Sequence, residues 1–539
     1  MFDTDVLIAG AGPIGLTAAI ELRRRGIRCR IVDPLLEPPQ YAKAVGVQPR
    51  TLEVFEGMGV LRQILDASIQ MRGQVVYVNG SEVSRIDLTL PPEVPFGFAS
   101  IPQYDTERIL RDRLATLDLP IERGTSLSRF DQDDTEVTAV LAGPDGEEIV
   151  TARYLVGCDG AHSITRKTLG LTFEGAAFEE QYMLGDVEVD WVQPPGYGVR
   201  VMHQTDGTTD DLLVCIPLPG RGRYRMSMLV PEELAAAKPS EPGSIAHGFE
   251  GGRKPELSHI QAVLDRLAPA PTTARNLRWS SVFRISHRIV DSYGRGRVFV
   301  AGDAAHIHPP TGAQGMNTGV QDAHNLAWKL ALAVRGKASA DLTNSYDAER
   351  RPIGEEVVGR TVRSAREGIE AGSTSPEQLM LREAQLLIDY AGSPIVASAA
   401  EGSSLLAPGV RAPDATGLSR DIVTDPFRLF TLFDRLRHTA IIYLGDAADV
   451  DAIVDLESIA AAARTAAHGE LNVYIIAAAA ADIGASTVPV IRDDSGNFAK
   501  IYGAEDHSIF IVRPDGYLGY SSDVIAEDTV VEFLQKTFR

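Results

Sequence analysis

Residues 6 to 33 limit the fold of this chain more than any other stretch. Val6, Leu7 and Ile8 form a short apolar run that enters Gly10-Ala11-Gly12-Pro13-Ile14-Gly15, and Ile14 to Arg25 then carries apolar side chains at helical spacing up to Gly26. A second apolar run, Ile27 to Val32, ends at Asp33. Strand, tight glycine turn, helix and strand in so few residues make a βαβ unit with parallel strands. Glycines at these positions let the turn close and let a pyrophosphate approach the helix N-terminus, where amides and the helix dipole favour negative charge. Asp33 stands where an acidic side chain accepts hydrogen bonds from an adenosine ribose. The chemistry that uses this spacing is dinucleotide binding; the plainer alternative is a βα turn whose glycines serve packing only.

Two more strand-to-helix turns follow. Ala152 to Cys158 is a buried-strand pattern running into Gly157-Cys158-Asp159-Gly160-Ala161-His162-Ser163-Ile164-Thr165-Arg166, where an acidic residue before glycine can order the turn by accepting from backbone amides. Arg297 to Ala301 is another apolar strand. It meets Gly302-Asp303 and a loop through Pro309, Pro310, Gly312 and Gly315 whose Gly and Pro content implies a backbone shaped for a close ligand, before helix resumes up to Val334.

Between the turns, residues 75 to 100 and 183 to 280 switch to short alternating strands broken by Gly, Pro and Asp, which predicts an inserted antiparallel sheet. Asp105 to Leu117 reads as helix, and residues 345 to 400 read as helix with a charged, solvated face. After Gly409-Val410-Arg411-Ala412-Pro413 the chain restarts, with strands at Thr439–Leu444, Asn472–Ala477, Val488–Ile491 and Ile509–Val512, a strand end and turn at Arg513 to Tyr517, and a helix at Thr529–Thr537. The expected architecture is α/β: a discontinuous Rossmann-like unit of residues 1–75, 100–182 and 281–345, an inserted antiparallel β unit of 76–99 and 183–280 to hold the substrate, a helical segment 346–407 and a C-terminal α/β domain 408–539.

Composition narrows what this frame can do. Of 539 residues, 44% are hydrophobic and 23% charged, near the globular average, which excludes a mainly disordered chain. Against 52 Lys and Arg stand 73 Asp and Glu, and the net charge of -21 argues against a general grip on nucleic acid or anionic lipid while leaving room for a local basic pocket. Cys29, Cys158 and Cys215 are too scattered for a disulfide framework or a metal knot. With no apolar leader and no membrane-length apolar run, the expectation is a cytoplasmic protein. His306, His308 and His324 lack a convergent Asp or Cys pattern, so no metal site is expected, and no GxSxG elbow offers a hydrolase nucleophile.

In their order and spacing, the three turns resemble those of the group A flavoprotein monooxygenases, the aromatic hydroxylases typified by para-hydroxybenzoate hydroxylase and phenol hydroxylase. The resemblance extends through Tyr346-Asp347-Ala348-Glu349-Arg350-Arg351-Pro352, and the C-terminal part is similar to the thioredoxin-like tail of the phenol and polyketide hydroxylase branches. It implies that Gly10, Gly12, Pro13, Ile14, Gly15 and Asp33 hold the adenosine and pyrophosphate of FAD, that Gln103 meets the flavin side chain, and that Lys43 stands near a position where relatives often carry Arg. Asp159 and Gly160 match a motif associated with both FAD and the nicotinamide nucleotide; Gly302 and Asp303 match one whose aspartate holds the ribityl hydroxyls. Pro309, Gly312, Gly315, Met316 and Asn317 match the loop beside the isoalloxazine, and His162 and Arg284 occupy neighbourhoods where relatives use basic residues toward the nicotinamide nucleotide. For the reaction itself the resemblance points to Pro310 in that loop and to Tyr224 and Arg225 on a strand of the inserted sheet, although a Tyr there serves packing as readily.

The implied activity uses FAD, NADH or NADPH as transient reductant, and O2 captured as a flavin C4a-hydroperoxide, to hydroxylate a small phenolic or other aromatic substrate. The same cofactor chemistry also serves epoxidation or Baeyer–Villiger oxidation of a polyketide or antibiotic, and a flavin-binding regulatory or electron-transfer protein is a third reading. A single GxGxxG leaves the nicotinamide nucleotide without its own Rossmann unit. Trp191, Trp279 and Trp328 do not form the WxWxI pattern of flavin-dependent halogenases. Phe96, Phe98, Tyr197, Met202, Tyr224, Met226 and Met228 are available either to a substrate pocket or to ordinary core. The C-terminal part holds no cysteine, which excludes a redox dithiol there and leaves structural support or a homodimer contact.

Overall fold

The computed structural model describes residues 2–40, 42–235, 248–249, 254–309, 311–367, 375–446, 450–483 and 485–539. Its first sheet grows from the wholly buried strand Thr4–Ala9, which pairs in parallel with Cys29–Asp33 on one side and Gly146–Gly157 on the other. Ile121–Arg123 and Val298–Val300 extend this parallel core, and an antiparallel ribbon, Ser126–Gln132 with Val137–Gly143, rises from Gly146–Gly157. The helix Pro13–Arg24 makes the first crossover: proline opens it, where a missing N–H costs nothing, and Gly26 at φ +73° follows its end. Against it lies the helix Gln314–Val334, so close that a Cβ at Gly319 would sit 2.7 Å from Ile14 Cγ1.

The second sheet has nine strands and a spine of two 16-residue strands, Phe173–Glu188 and Arg275–Val290. Arg223–Leu229, Thr208–Pro217, Tyr197–Thr205, Gly73–Val78 and Ser81–Asp87 follow in that spatial order. One face is covered by the helix Leu257–Leu267, which buries Ile260, Val263 and Leu264 against Met183, Val187, Met226 and Met228. The other looks toward the first unit: Lys43 Nζ lies 5.3 Å from the centroid of the Phe283 ring, and Arg223 donates to the Tyr104 hydroxyl at 2.6 Å. The alternating pattern over 75 to 100 turns out to serve two sheets, because Phe98–Ser100 pairs with Gly46–Val47 and Ile69–Met71 in a separate three-stranded sheet.

In the C-terminal domain a seven-stranded sheet runs Val423–Phe427, Leu418–Arg420, Val490–Asp493, Leu471–Ala478, His438–Leu444, His507–Val512, Leu518–Ser522. The three strands at its centre are parallel and the last two antiparallel, with helices Val450–Ala466, Asn497–Tyr502 and Glu527–Gln535 completing it. Helix is present over Ser345–Glu367 and Pro376–Glu383 but stops there, short of the expected residue 400. Beyond it Gly392 and Pro394 break the pattern, and the chain is held instead by the bridge between Asp389 and Val410 and by Tyr390 against Tyr517, ring centroids 4.2 Å apart. Nor is the charged face of residues 345 to 400 simply solvated: Glu349 and Arg350 are 2% and 0% exposed. Among the described residues no helix is long and apolar enough to cross a membrane, and no group of three His, Cys, Asp or Glu gathers as a metal site.

Candidate active site

The first turn separates two uses of glycine. Gly10 adopts φ +99°, and a Cβ there would fall 2.3 Å from the Cys158 carbonyl oxygen; at Gly15 it would fall 1.9 Å from the Gly10 oxygen. At Gly12 it would meet no protein atom within 4 Å. The first pair lets chain segments touch, whereas Gly12 borders open space above a helix N-terminus that no side chain caps, the setting a pyrophosphate fits. Asp33 accepts from the Ala11 amide at 2.8 Å and the Leu35 amide at 2.9 Å and pairs with Arg123 at 3.0 Å, tying the turn to the end of its strand. Two carboxylate oxygens have about four lone-pair sites, so capacity remains for a ribose hydroxyl.

Asp159 orders the second turn by capping. One oxygen accepts from Ser163 Oγ at 2.5 Å, the other from the Thr165 amide and hydroxyl, both at 3.0 Å. Gly160 follows at φ +77°, and His162 stands exposed beyond it. Arg166, fully buried, donates to the carbonyls of Ala161 and Ala304 and so joins the second turn to the third.

At the third turn a Cβ on Gly302 would come 2.8 Å from Ile14 Cγ1, so the first and third turns also meet. The Gly302 amide donates to Asp322, which in turn meets His306 Nε2 at 2.8 Å and Arg350 Nε at 2.8 Å. Asp303 points elsewhere, with 38% of its side chain open and Lys43 Nζ 3.2 Å away. His308 is buried; the Pro309 carbonyl can only accept, so His308 Nδ1 carries the proton and Nε2 is a lone-pair acceptor with no partner among the described residues. Burial lowers its pKa to about 4, which keeps it neutral. Gly312 and Ala313, both left-handed, turn the chain into the uncapped helix Gln314–Val334, on whose first turns Gly315 and the buried Met316 stand. The Asn317 side chain is engaged by the protein itself, accepting from the Gln48 amide and donating to the carbonyls of Gly46 and Ala313. Gln103 likewise holds the Ala44 amide at 3.1 Å. Both side chains fasten the segment that carries Lys43. Pro310 lies outside the described residues.

Three turns in mutual contact, two uncapped helix starts and an aspartate open between them fit a bound dinucleotide with its ring against the third loop. A family model described as an FAD binding domain matches residues 3–361, all three turns included. The chain belongs to the group A flavoprotein monooxygenases. It is 31% identical over 543 residues to a flavin-dependent monooxygenase of Mycobacteroides abscessus, covering 98% of this chain and 99% of that protein. It is 33% identical over 465 residues to the 6-methylpretetramide 4-monooxygenase of Streptomyces rimosus, covering 79% of each. The solved anhydrotetracycline hydroxylase from Streptomyces rimosus superposes with a TM-score of 0.71 at 27% identity, over 96% of this chain and 95% of that one. The protein is an FAD-dependent aromatic monooxygenase.

On the monooxygenase's nine-stranded sheet, neighbours part company. Tyr224 belongs to the packed face under the helix Leu257–Leu267, edge-on to Trp191 at 5.5 Å, together with Met226 and Met228. Its placement matches the packing alternative. Arg225 alternates to the opposite face, opposite Asp186 and Ile216 in register, on the side where Arg223 reaches Tyr104. Arg225 is 5% exposed, makes no hydrogen bond or ion pair with any described residue, and burial pushes its pKa down to about 10, so it stays cationic at neutral pH. Arg200, two strands away on the same face, is also without a hydrogen bond among the described residues. Arg284 alternates away from Phe283 and sits on the helix-covered side. Tyr197 is bound to Asp87 at 2.5 Å, and Phe98 packs with Ala384 and Leu386, so neither lines the face that holds Arg225.

A second polar assembly has no motif in the sequence. Glu349 accepts from Arg513 at 2.7 and 2.8 Å, from Lys329 and Asn325 at 2.7 Å and from Ser393 at 2.7 Å. Asp515 accepts from Arg513, Asn325 and Trp328. Burial works against the Glu349 charge, but Arg513 and Lys329 outweigh it and hold the carboxyl well below the usual carboxylate range. Here the turn at Arg513 to Tyr517 is the docking point of the C-terminal domain on the helix that starts at the third loop.

Proposed function

We propose that this monooxygenase hydroxylates a multi-ring aromatic substrate carrying a phenolate or carboxylate, with NADH or NADPH as transient reductant and O2 as co-substrate. The observation that carries the reading is the buried guanidinium of Arg225, without a partner among the described residues, on the sheet face turned toward Lys43 and Asp303. A buried cation with no counter-charge is costly, and a substrate oxyanion removes the cost. Bound FAD supplies the redox chemistry, accepting hydride and activating oxygen.

The chain's own residues position the substrate and set its ionisation. A phenol ionises near pH 10 in water, and an adjacent cation lowers that by roughly 1–3 units, making the ring more nucleophilic. Asp186 is already bound to Arg223 at 2.8 and 2.5 Å, so Arg225 acts through its charge where a free carboxylate base would otherwise serve. Met202, Leu212, Val214 and Ile216 share this face, half buried, and give the aromatic body an apolar wall that excludes water. Two strand spacings of about 4.8 Å and an offset of two residues along the strand separate Arg200 from Arg225, a span of roughly 12 Å that suits polar groups at the two ends of fused rings.

His162, exposed beside the second turn, is a contact for the nicotinamide nucleotide within this proposal. The C-terminal domain is a thioredoxin-like unit without a redox dithiol; three parallel strands followed by two antiparallel ones, with helices after the first, the third and the last, support that reading. Unpaired Cys29, Cys158 and Cys215 agree with work in the reducing cytoplasm.

The test is NAD(P)H oxidation by the FAD-loaded protein with a panel of multi-ring phenols, aromatic acids and their methyl ethers or esters, with products identified by mass. Anionic members should stimulate oxidation and gain one hydroxyl. Equal stimulation by the neutral ethers would overturn the role of Arg225; an epoxide or lactone product would favour the other oxygen-insertion chemistry, and oxidation with no oxygenated product would overturn hydroxylation.

A further inference from the structure

The helices Pro13–Arg24 and Gln314–Val334, which begin at two cofactor turns, both end against the C-terminal domain. At 1.5 Å per residue their far ends lie roughly 18 and 31 Å from those turns. A cleft of 340 Å3 opens there, lined by Arg24, Arg25, Arg335, Lys337, Arg437 and Glu470. It narrows inward, past Arg25 and Arg335, to Trp328 and His438.

Part of this charge has an ordinary use. Helix C-termini attract cations, and Arg335 donates to the Arg25 carbonyl while Arg25 donates to that of Arg435. The remainder is in surplus. Arg24 and Arg25 share one carboxylate, Glu21, and Arg335 and Lys337 share another, Glu470. Asp434 at the rim is engaged by the amides of Leu436 and Arg437 and by Asn472, and the exposed Arg437 side chain has no ion pair among the described residues. Burial, with Arg24 and Arg335 pressing on it, lowers the Arg25 pKa despite Glu21. At the inner end His438 is 2% exposed, wedged between Trp328 and Phe538, and neither ring nitrogen has a hydrogen-bond partner among the described residues. A buried imidazole with donor and acceptor both unsatisfied, at the bottom of a cation-lined cleft, in a chain of net charge -21, calls for a ligand.

We propose that this cleft binds a phosphate or diphosphate group, its oxygens held by Arg24, Lys337 and Arg437 at the mouth and a water or polar ligand atom reaching His438. Its distance from the turns makes the ligand a modulator that stabilises the docked C-terminal domain, not a reactant at the flavin. Free pyrophosphate and the diphosphate of a nicotinamide nucleotide share this chemistry.

The FAD-loaded full-length protein is titrated by calorimetry with inorganic pyrophosphate, and separately with NADP+, at ionic strength held constant with chloride. Pyrophosphate should bind with a dissociation constant below about 1 mM and raise the melting temperature. The double variant Lys337→Ala, Arg437→Ala should weaken it about tenfold, with FAD content and turnover unchanged. Arg437→Glu repeats the test without disturbing an ion pair. If NADP+ affinity falls with that of pyrophosphate, the nucleotide is the source; if pyrophosphate alone is affected, the free anion is. No binding above the chloride control, or equal binding in the variants, would overturn the site.

Discussion

Glu349 and Arg225 are both charged, both buried and both without a local sequence partner, yet they stand in opposite conditions. Every oxygen of Glu349 is occupied, by Arg513, Lys329, Asn325 and Ser393, whereas Arg225 meets no hydrogen-bonding group of the described chain. A saturated network inside a protein rigidifies one arrangement, and removing a member leaves the rest uncompensated. An unsaturated buried charge is a cost to the folded chain unless something outside it answers the charge. The contrast separates scaffold from site more sharply than burial does, because the two side chains are almost equally hidden, at 2% and 5% exposure.

The largest effect should come from breaking the saturated side. Glu349→Leu strands Arg513 and Lys329 without their shared counter-charge, and a loss of about 3–5 kcal/mol is expected, read as a lower melting temperature and a smaller soluble yield. An unchanged melting curve would erase the distinction. Arg225→Met should do the reverse: stability is held or gained, while kcat/KM for an anionic substrate falls by roughly 10- to 100-fold, the worth of a charged hydrogen bond. If the variant loses stability instead, Arg225 belongs with the scaffold.

His438 sharpens the comparison through pH, being an open group lodged in the scaffold. Burial lowers its pKa to about 3 from an ordinary 6.5, so the unfolded chain takes the proton first. Its contribution to stability is complete above pH 6.5 and is lost as pH falls toward 3, at up to about 1.4 kcal/mol per pH unit. Melting temperatures across that window should decline less steeply in His438→Phe than in the parent. Tyr224→Phe should change least, within about 1 kcal/mol and about twofold in turnover, since the ring packs against Trp191 on the covered face. A large loss of turnover would move Tyr224 into the chemistry.

The three turns were readable in the chain because each is a local problem. Gly15 answers a contact inside its own βα unit and Gly10 a left-handed backbone, Asp159 accepts from the Ser163 hydroxyl and the Thr165 amide four and six residues on, and strand-helix periodicity announces each turn. The solvated face expected over residues 345 to 400 failed for the opposite reason: Glu349 and Arg350 carry the composition of such a face, but their partners lie elsewhere, Arg513 being 164 residues from Glu349 and Asp322 28 from Arg350. Nothing in a window of local spacing distinguishes a carboxylate that faces water from one that faces an arginine of another domain.

Alternation along Arg223–Leu229 was enough to say that Tyr224 and Arg225 point to opposite faces. Which face meets the cofactor turns was decided by the packing of the helix Leu257–Leu267 on one side and the approach of Lys43 and Tyr104 on the other. Strand periods, glycine turns and the residues that shape them follow from steric and hydrogen-bonding rules acting over a few residues, so the sequence by itself determined the cofactor-binding frame. The saturation of Glu349, the isolation of Arg225 and the surplus of charge around Arg437 depend on groups brought together from distant segments, and only the tertiary structure, through burial and its removal of water, decided which charges are answered within the chain.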